Sequence, residues 1–91
     1  MMREIQFTNK FKKDRKREKR TDPKIDDVLM PVIELLAADA DLPERLFDHA
    51  LSGNWKGYRD CHIKPDLLLL YMKKKGEISL VRLGSHSELF G

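Results

Sequence analysis

Three histidines and their neighbouring carboxylates are the residues of this chain best suited to chemistry. His49 and His62 lie in the stretch DHALSGNWKGYRDCHIKPD, which also carries Asp60 and Asp66, and His86 lies in a polar C-terminal tail. Histidine titrates nearest to neutral pH, so a cluster of histidines and carboxylates is a candidate for general acid–base catalysis. Each histidine alone is more often structural, so the elements that position them decide the matter.

Cleavage of RNA without a metal fits these residue types. The reaction needs a base for the 2′-hydroxyl proton, an acid for the 5′-leaving oxygen and cations beside the phosphate. Histidine and aspartate suit the first two needs, and Tyr58 or Phe90 could stack on a base. The candidate phosphate-binding cations are Lys56, Arg59 and Arg82.

Other chemistries fit the sequence less well. The chain has no nucleotide-binding glycine loop, no serine elbow and no CxxC pair. A metal site built from the three histidines and Asp66 would match no common ligand spacing. We therefore predict no metal ligands and no cofactor.

The 91 residues predict a single domain, 1–91, with a small core. Residues 1–24 carry ten Lys/Arg against four Asp/Glu, residues 25–53 one against seven, and residues 54–91 seven against four. These balances of +6, −6 and +3 sum to the net charge of +3. Basic segments attract polyanions such as nucleic acid, although a solvated helix face is the alternative.

No segment predicts a membrane span or a secretory signal. The longest apolar run, Leu67 to Met72, is far too short to cross a bilayer. The single cysteine, Cys61, cannot form an internal disulfide and suits a reducing compartment, most simply as a small buried hydrophobe. We expect a cytoplasmic protein with no membrane partner.

Two helices are predicted after a short strand over Glu4–Phe7. The first, Lys10 to Arg20, is rich in good helix formers and has Phe11 as its only apolar residue. Thr8 or Asn9 can cap it.

The second helix is predicted from apolar residues at helical spacing, namely Ile25, Val28, Leu29, Val32, Ile33, Leu35 and Leu36. Asp22 is the predicted N-cap and Pro23 the first helical residue. The helix should end near Ala38–Asp39. Pro31 predicts a kink in one continuous helix, and the alternative is two short helices that meet at Met30.

Three strands are predicted in the C-terminal half: Trp55–Ile63, Leu67–Lys73 and Ile78–Leu83. Short turns join them, so neighbouring strands should run antiparallel. Leu46, Phe47 and Leu51 should pin the preceding connection to the core. The predicted architecture is α+β, with two N-terminal helices packed on one face of a small, mainly antiparallel sheet and the N-terminal strand at an edge.

This topology predicts that the polar residues meet. Alternate residues of a strand share a face, so if Trp55 and Ile63 are core, Lys56, Asp60 and His62 face the open side. The third strand ends beside the start of the second, which brings His86 towards Asp66. His49 lies just before the first strand.

Two stretches, DHALSGNWKGYRDCHIKPDLLLLY and LVRLGSHSELFG, closely resemble the YafQ-type toxins of the RelE/ParE superfamily of bacterial toxin–antitoxin systems. They cover about half of the chain, and LPERLFDHALSG extends the likeness. One departure is Leu67, where some relatives carry an aromatic residue.

The resemblance implies a small α+β ribonuclease that cleaves mRNA in the A site of the 70S ribosome. It also implies a cognate antitoxin, usually encoded by the adjacent gene, whose complex with the toxin represses its own operon. The functional positions that it implies are His49, Asp60, His62, Asp66, His86 and Phe90. His86 would be the general acid, whereas His49, His62 and Asp66 would share base, orienting and phosphate-stabilising roles.

Two alternatives are a non-catalytic, ParE-like gyrase inhibitor and a plain RNA-binding module. The histidine cluster disfavours the first, because the gyrase-inhibiting relatives lack it. In the second, the histidines would be structural and the basic helix would bind RNA.

Overall fold

The computed structural model describes residues 2–91 as a five-stranded sheet with three helices. In chain order the elements are β1 (Glu4–Phe7), α1 (Asn9–Thr21), α2 (Asp26–Ala37), β2 (His49–Ala50), β3 (Arg59–Lys64), β4 (Leu67–Lys74), β5 (Glu77–Gly84) and α3 (His86–Phe90). Single turns of 3₁₀ helix lie at Glu44–Leu46 and Gly53–Trp55.

The strand order is β1-β5-β4-β3-β2. β1 pairs with β5 in parallel, and all other neighbours run antiparallel. Two-residue connections join β3 to β4 and β4 to β5, which is why those strands form hairpins. The predicted α+β class and the edge position of the N-terminal strand are confirmed.

The core lies between α1, α2 and one face of the sheet. Phe11 of α1, Leu29 and Leu36 of α2, and Cys61 and Leu69 of the central strands are all at most 1% exposed. Burying one such side chain stabilises the fold by about 1.5–3 kcal/mol, so Phe11 contributes to the attachment of the basic helix to the core. Burial raises the pKa of the Cys61 thiol to about 12, as expected of an inert core cysteine.

The helix boundaries follow local chemistry, with one correction. The Thr8 hydroxyl accepts the Phe11 N–H at 3.0 Å and starts α1. Asp22 does not cap the second helix as predicted: its N–H bonds to the Glu18 carbonyl at the end of α1, and its carboxylate accepts the Lys24 N–H. A turn therefore separates the helices, and α2 begins at Asp26. The helix continues through Pro31, so the alternative break at Met30 is wrong.

The strand β3 begins later in the chain than the predicted strand Trp55–Ile63. Residues 53–55 form a 3₁₀ turn, and Gly57 has φ = +96°, a backbone conformation that side chains other than glycine rarely adopt. The chain enters β3 only at Arg59, and Trp55 is therefore not a core residue of a strand. The structure adds a short strand, β2, which the sequence prediction missed.

The N-cap residue Thr8 and side chains of α1 cover the edge of β5 beyond the end of β1. The Thr8 hydroxyl donates to the Val81 carbonyl at 2.9 Å, and the Asp14 carboxylate accepts the Leu83 N–H at 3.0 Å. Arg17 donates to the Leu83 carbonyl at 3.0 Å. The basic helix thus completes the edge of the strand that leads into α3.

Across residues 2–91, no helix has the length and apolar character needed to cross a membrane.

Candidate functional site

A cleft of about 430 Å³ opens on the sheet face that the helices leave free. The register places His49 opposite Asp60 and His62 opposite Leu68, and all four side chains line the cleft. The full lining is Phe47, His49, Leu51, Ser52, Trp55, Asp60, His62, Leu68, His86 and Phe90. The predicted convergence of the three histidines is therefore present in the structure.

The tautomer of His49 is set by the backbone. Its Nδ1 lies 2.9 Å from the Phe47 carbonyl oxygen and 3.3 Å from Asp60 Oδ1. Because a carbonyl oxygen only accepts, Nδ1 carries the proton that donates to it. In the neutral imidazole the other nitrogen, Nε2, is then unprotonated and able to accept a proton.

Asp60 lies on the open face as predicted, but it is buried beneath His49 rather than exposed to solvent. Its side chain is buried, with 3% of the residue exposed, and Oδ1 has no hydrogen-bond partner among residues 2–91. Burial raises the pKa of the Asp60 carboxyl, and the neighbouring His49 and His62 only partly oppose that rise. The arrangement makes Asp60 an electrostatic partner of the histidines.

His86 is the first residue of α3 and lies beside Asp66, as the topology predicted. Asp66 Oδ1 is 3.5 Å from the His86 backbone nitrogen, a long hydrogen bond that joins the β3–β4 turn to the start of α3. A capping box orients the helix, because the Ser85 hydroxyl accepts the Glu88 N–H at 3.2 Å and the Glu88 carboxylate accepts the Ser85 N–H at 2.8 Å. Asp66 therefore contacts the backbone of the candidate acid and does not line the cleft itself.

Aromatic rings line the cleft beside the histidines. The rings of Trp55 and Phe90 meet edge to face at 5.6 Å, and the His86 ring lies 5.1 Å from Phe90. Phe47 contacts the rings of His49 at 5.2 Å and His62 at 5.5 Å.

The candidate phosphate-binding cations do not line the cleft. Arg59 lies on the face that carries Cys61 and Ile63, and its guanidinium pairs with Asp48 at 3.2 Å. Arg82 pairs with Asp14 of α1 at 2.7 Å. Lys56 is exposed beyond the 3₁₀ turn and outside the lining.

Sequence reasoning missed two aromatic members of the cleft, Phe47 and Trp55. Phe47 was expected to pin its loop to the core, yet 65% of the residue is exposed, and Leu46 takes the buried position instead. Trp55 was expected in the core and lies against Phe90. A lone apolar residue in a loop carries no periodicity, so only its position two residues before His49 could have indicated its place.

Among residues 2–91, no three His, Cys, Asp or Glu side chains converge in a way that could hold a metal ion.

Residues 3–91 match the family described as "Bacterial toxin of type II toxin-antitoxin system, YafQ". The chain is 32% identical over 91 residues to the mRNA interferase toxin YafQ of Escherichia coli K12, which covers 100% of this chain and 99% of that protein. Among solved structures, a copper-bound mutant toxin from Helicobacter pylori is 43% identical, with a TM-score of 0.92 over 99% of this chain and 100% of that one. YafQ in the DinJ–YafQ complex of E. coli is 34% identical, with a TM-score of 0.89 over 98% of this chain and 99% of that one.

Proposed function

The chain belongs to the YafQ family of toxins of bacterial type II toxin–antitoxin systems, and from this membership we propose that it is an endoribonuclease that cleaves mRNA in the ribosomal A site by metal-independent acid–base chemistry. The observation that most strongly supports this proposal is the convergence of His49, His62 and His86 on one cleft, which aromatic rings also line. The relative from E. coli bears the name mRNA interferase toxin, which gives the same reaction class.

His49 is the general base in this proposal. Its Nε2 takes the proton from the 2′-hydroxyl of the substrate, because Nδ1 is occupied with the Phe47 carbonyl. The 2′-oxygen then attacks the phosphorus atom. Asp60 stabilises the imidazolium that forms, since its Oδ1 lies 3.3 Å from His49 Nδ1.

His86 is the general acid. As the P–O5′ bond breaks, its imidazolium gives a proton to the leaving 5′-oxygen, so the products are a 2′,3′-cyclic phosphate and a 5′-hydroxyl. Asp66 holds the backbone of His86 at the start of α3, and Phe90 packs on its ring. His62 supplies the remaining cationic or hydrogen-bonding group for the phosphate, and Lys56, exposed and outside the lining, remains a candidate cation.

The partners in this proposal are the ribosome, mRNA and a cognate antitoxin that neutralises the toxin. The solved DinJ–YafQ complex supports the antitoxin. By the same likeness, the antitoxin gene is adjacent and the complex represses its own operon. The toxin acts in the cytoplasm, where ribosomes translate mRNA.

Single-turnover cleavage on programmed ribosomes tests this function. His86→Ala should slow cleavage by about 10²–10⁴-fold with little change in ribosome binding, because an acid acts mainly in the transition state. His86→Gln should be as slow, since an amide can keep a hydrogen bond but delivers no proton. Products should carry a 2′,3′-cyclic phosphate.

The controls address the metal and the alternative functions. A chelator at a concentration that leaves ribosomes intact should not stop cleavage, and chelator-sensitive cleavage would favour a metal-dependent mechanism instead. Full activity of His86→Gln would contradict the assignment of His86 as the general acid. Ribosome binding with no cleavage by the parent chain would favour an RNA-binding module, and inhibition of supercoiling would favour the gyrase inhibitor.

A further inference from the structure

We propose that Phe47 forms a nucleobase-stacking subsite of the cleft and positions the mRNA for cleavage; this inference rests on the proposed ribonuclease function. The first observation is its exposure. Phe47 is 65% exposed, whereas its neighbour Leu46 is 6% exposed. The ring therefore contributes little to the core and faces solvent at the rim of the cleft that it lines.

The second observation is backbone strain. Phe47 has φ = 50° and ψ = 45°, the left-handed conformation that a bulky residue rarely adopts. Its N–H closes the 3₁₀ turn on the Glu44 carbonyl at 2.9 Å, and its own carbonyl accepts the His49 Nδ1 proton. Glycine or asparagine would meet the same backbone need at lower cost, so stability does not explain a phenylalanine here.

The third observation is the place of the ring. The Phe47 and His62 rings form an edge-to-face pair, with an interplanar angle of 82° and centroids 5.5 Å apart, and the Phe47 ring lies 5.2 Å from the ring of the proposed base, His49. Trp55 and Phe90 also line the cleft. A base that stacks on Phe47 would hold its own ribose, and hence a 2′-hydroxyl, beside His49 Nε2.

Single-stranded RNA is the ligand that these features fit. Its unstacked bases have the flat aromatic faces that an exposed ring recognises, and stacking tolerates any base. A side chain of the antitoxin would be the alternative ligand of Phe47. The contact of Phe47 with two of the proposed catalytic histidines favours the RNA substrate instead.

Three variants distinguish the effect of base stacking on cleavage from the effects of an apolar side chain and of backbone strain at position 47. Phe47→Leu keeps an apolar side chain without a flat ring, and Phe47→Asn suits the left-handed backbone. Both should lower kcat/KM for ribosomal cleavage by about five- to a hundredfold, the range expected for the loss of one base–aromatic stack. Phe47→Asn should keep or raise the melting temperature, and Phe47→Tyr should keep most of the activity.

Abasic substrates locate the stack. An abasic nucleotide is placed in turn at each position of the A-site codon. At one position it should slow the parent chain and add little to the defect of Phe47→Leu, because that variant has already lost the stack. Equal further losses in parent and variant at all positions would overturn the subsite. So would a Phe47→Leu chain that cleaves normally and only loses antitoxin affinity.

A direct binding measurement separates this inference from the proposed function. Trp55 is the only tryptophan of the chain and lies in the cleft, so its emission reports binding of a short 2′-O-methyl oligoribonucleotide, which cannot be cleaved. Phe47→Leu should weaken that binding about five- to a hundredfold. If the parent binds through Phe47 but cleaves no mRNA, the nuclease proposal falls and the stacking site stands. If it neither binds nor shows the abasic effect, the stacking site falls.

Discussion

The buried carboxylate of Asp60 lowers the stability of the fold. It is buried next to two histidines, and its Oδ1 has no hydrogen bond within residues 2–91. Burying an unsatisfied polar atom costs about 1–3 kcal/mol. Its position beneath His49 suggests that the cleft keeps it for electrostatic stabilisation of a protonated imidazole.

Replacing Asp60 with asparagine should therefore stabilise the protein at neutral pH and slow cleavage. The pKa of Asp60 lies above its ordinary value of 3.8 because burial disfavours the charged form. Ionisation thus costs stability, and this cost is absent below pH 3.8 and complete above the raised pKa. The free energy of unfolding of Asp60→Asn should exceed that of the parent by about 1 kcal/mol at pH 7.

Chemical denaturation between pH 3.5 and 7 measures this difference. The gain in stability should shrink towards zero as the pH falls through the pKa of the carboxyl in the folded protein. Asp41→Asn, which removes an exposed carboxylate, serves as the control and should show no such trend. A stability difference that does not change with pH would mean that Asp60 is not the group under strain.

At the scale of elements, the basic helix α1 is tied to the element that carries the candidate acid. Asp14 is only 3% exposed and accepts four hydrogen bonds, from the Leu83 N–H, from two nitrogens of Arg82 and from Arg17. Arg17 also lies 3.5 Å from Glu88, the capping-box residue of α3. Rotation or displacement of α1 would therefore also change the position of the start of α3 and of His86.

Asp14→Asn should destabilise the protein by about 1–3 kcal/mol at pH 7, because two guanidinium groups lose their carboxylate. Burial alone would raise the pKa of Asp14, but hydrogen bonds from Arg82 and Leu83 and the nearby charges outweigh it, so the pKa lies below 3.8. This contribution is present above pH 3.8 and is lost as the pH falls through the lower pKa of the folded protein. The deficit of the variant should therefore be largest at neutral pH.

Asp26→Asn is the matched control, since Asp26 pairs with Arg15 and Lys19 at a more exposed position. Surface pairs contribute about 0–1 kcal/mol, so the control should lose little. Cleavage by Asp14→Asn should also show a lowered kcat with KM little changed, because only the placement of His86 is disturbed. Normal kcat with reduced stability would limit Asp14 to a structural role.

The accuracy of the sequence prediction differs between elements for a physical reason. α2, β4 and β5 were predicted nearly in full, because their apolar spacing and the short turns between strands are local signals. The start of β3 depends on the positive φ of Gly57, and β2 exists only through pairing with β3. The burial of Asp14 could not be read from KFKKDRKREKR, because its partners are supplied by β5, which lies about 70 residues later in the chain.

The candidate site divides in the same way. His49, His62 and His86 were brought together correctly because antiparallel topology fixes which strand ends meet. Asp66 was expected to join them and instead contacts the His86 backbone, and Phe90 was indicated by the resemblance rather than by topology. Arg59 and Arg82 were placed beside the phosphate because arginine suits that role, but Asp48 and Asp14 hold them elsewhere. Competition between partners for one cation is a tertiary property that no local pattern shows.

At the scale of the whole molecule, α1 carries half of the ten Lys and Arg residues that form no ion pair within residues 2–91. Three of its cations are paired, Arg15 and Lys19 with Asp26 and Arg17 with Asp14. Within residues 2–91, Lys10, Lys12, Lys13, Lys16, Arg20 and Lys24 form no ion pair. A groove of about 380 Å³ runs along this helix, lined by Phe7, Phe11, Lys12, Arg15, Lys16 and Lys19.

Neutralising Lys12 and Lys16 together should weaken ribosome binding and flatten its salt dependence. Each phosphate contact releases condensed counterions and adds about 0.7–0.9 to the slope of log K against log salt, so losing two contacts should reduce the magnitude of that slope by about 1.4–1.8. Binding of Lys12→Gln/Lys16→Gln to ribosomes at several salt concentrations measures this. Cleavage per bound toxin should stay unchanged, since neither lysine lines the cleft.

The double variant Lys74→Gln/Lys75→Gln removes the same charge from the opposite end of the sheet, where β4 turns into β5. If net charge alone steers the toxin, both double variants should lose affinity equally, and the groove along α1 would have no special role. If the groove instead receives an acidic antitoxin, the α1 variant should lose antitoxin affinity while its ribosome binding and salt slope match the parent. We expect the loss of ribosome binding to be confined to the α1 variant, because its two lysines lie one turn apart on the same face of the helix and can meet adjacent phosphates of one RNA strand.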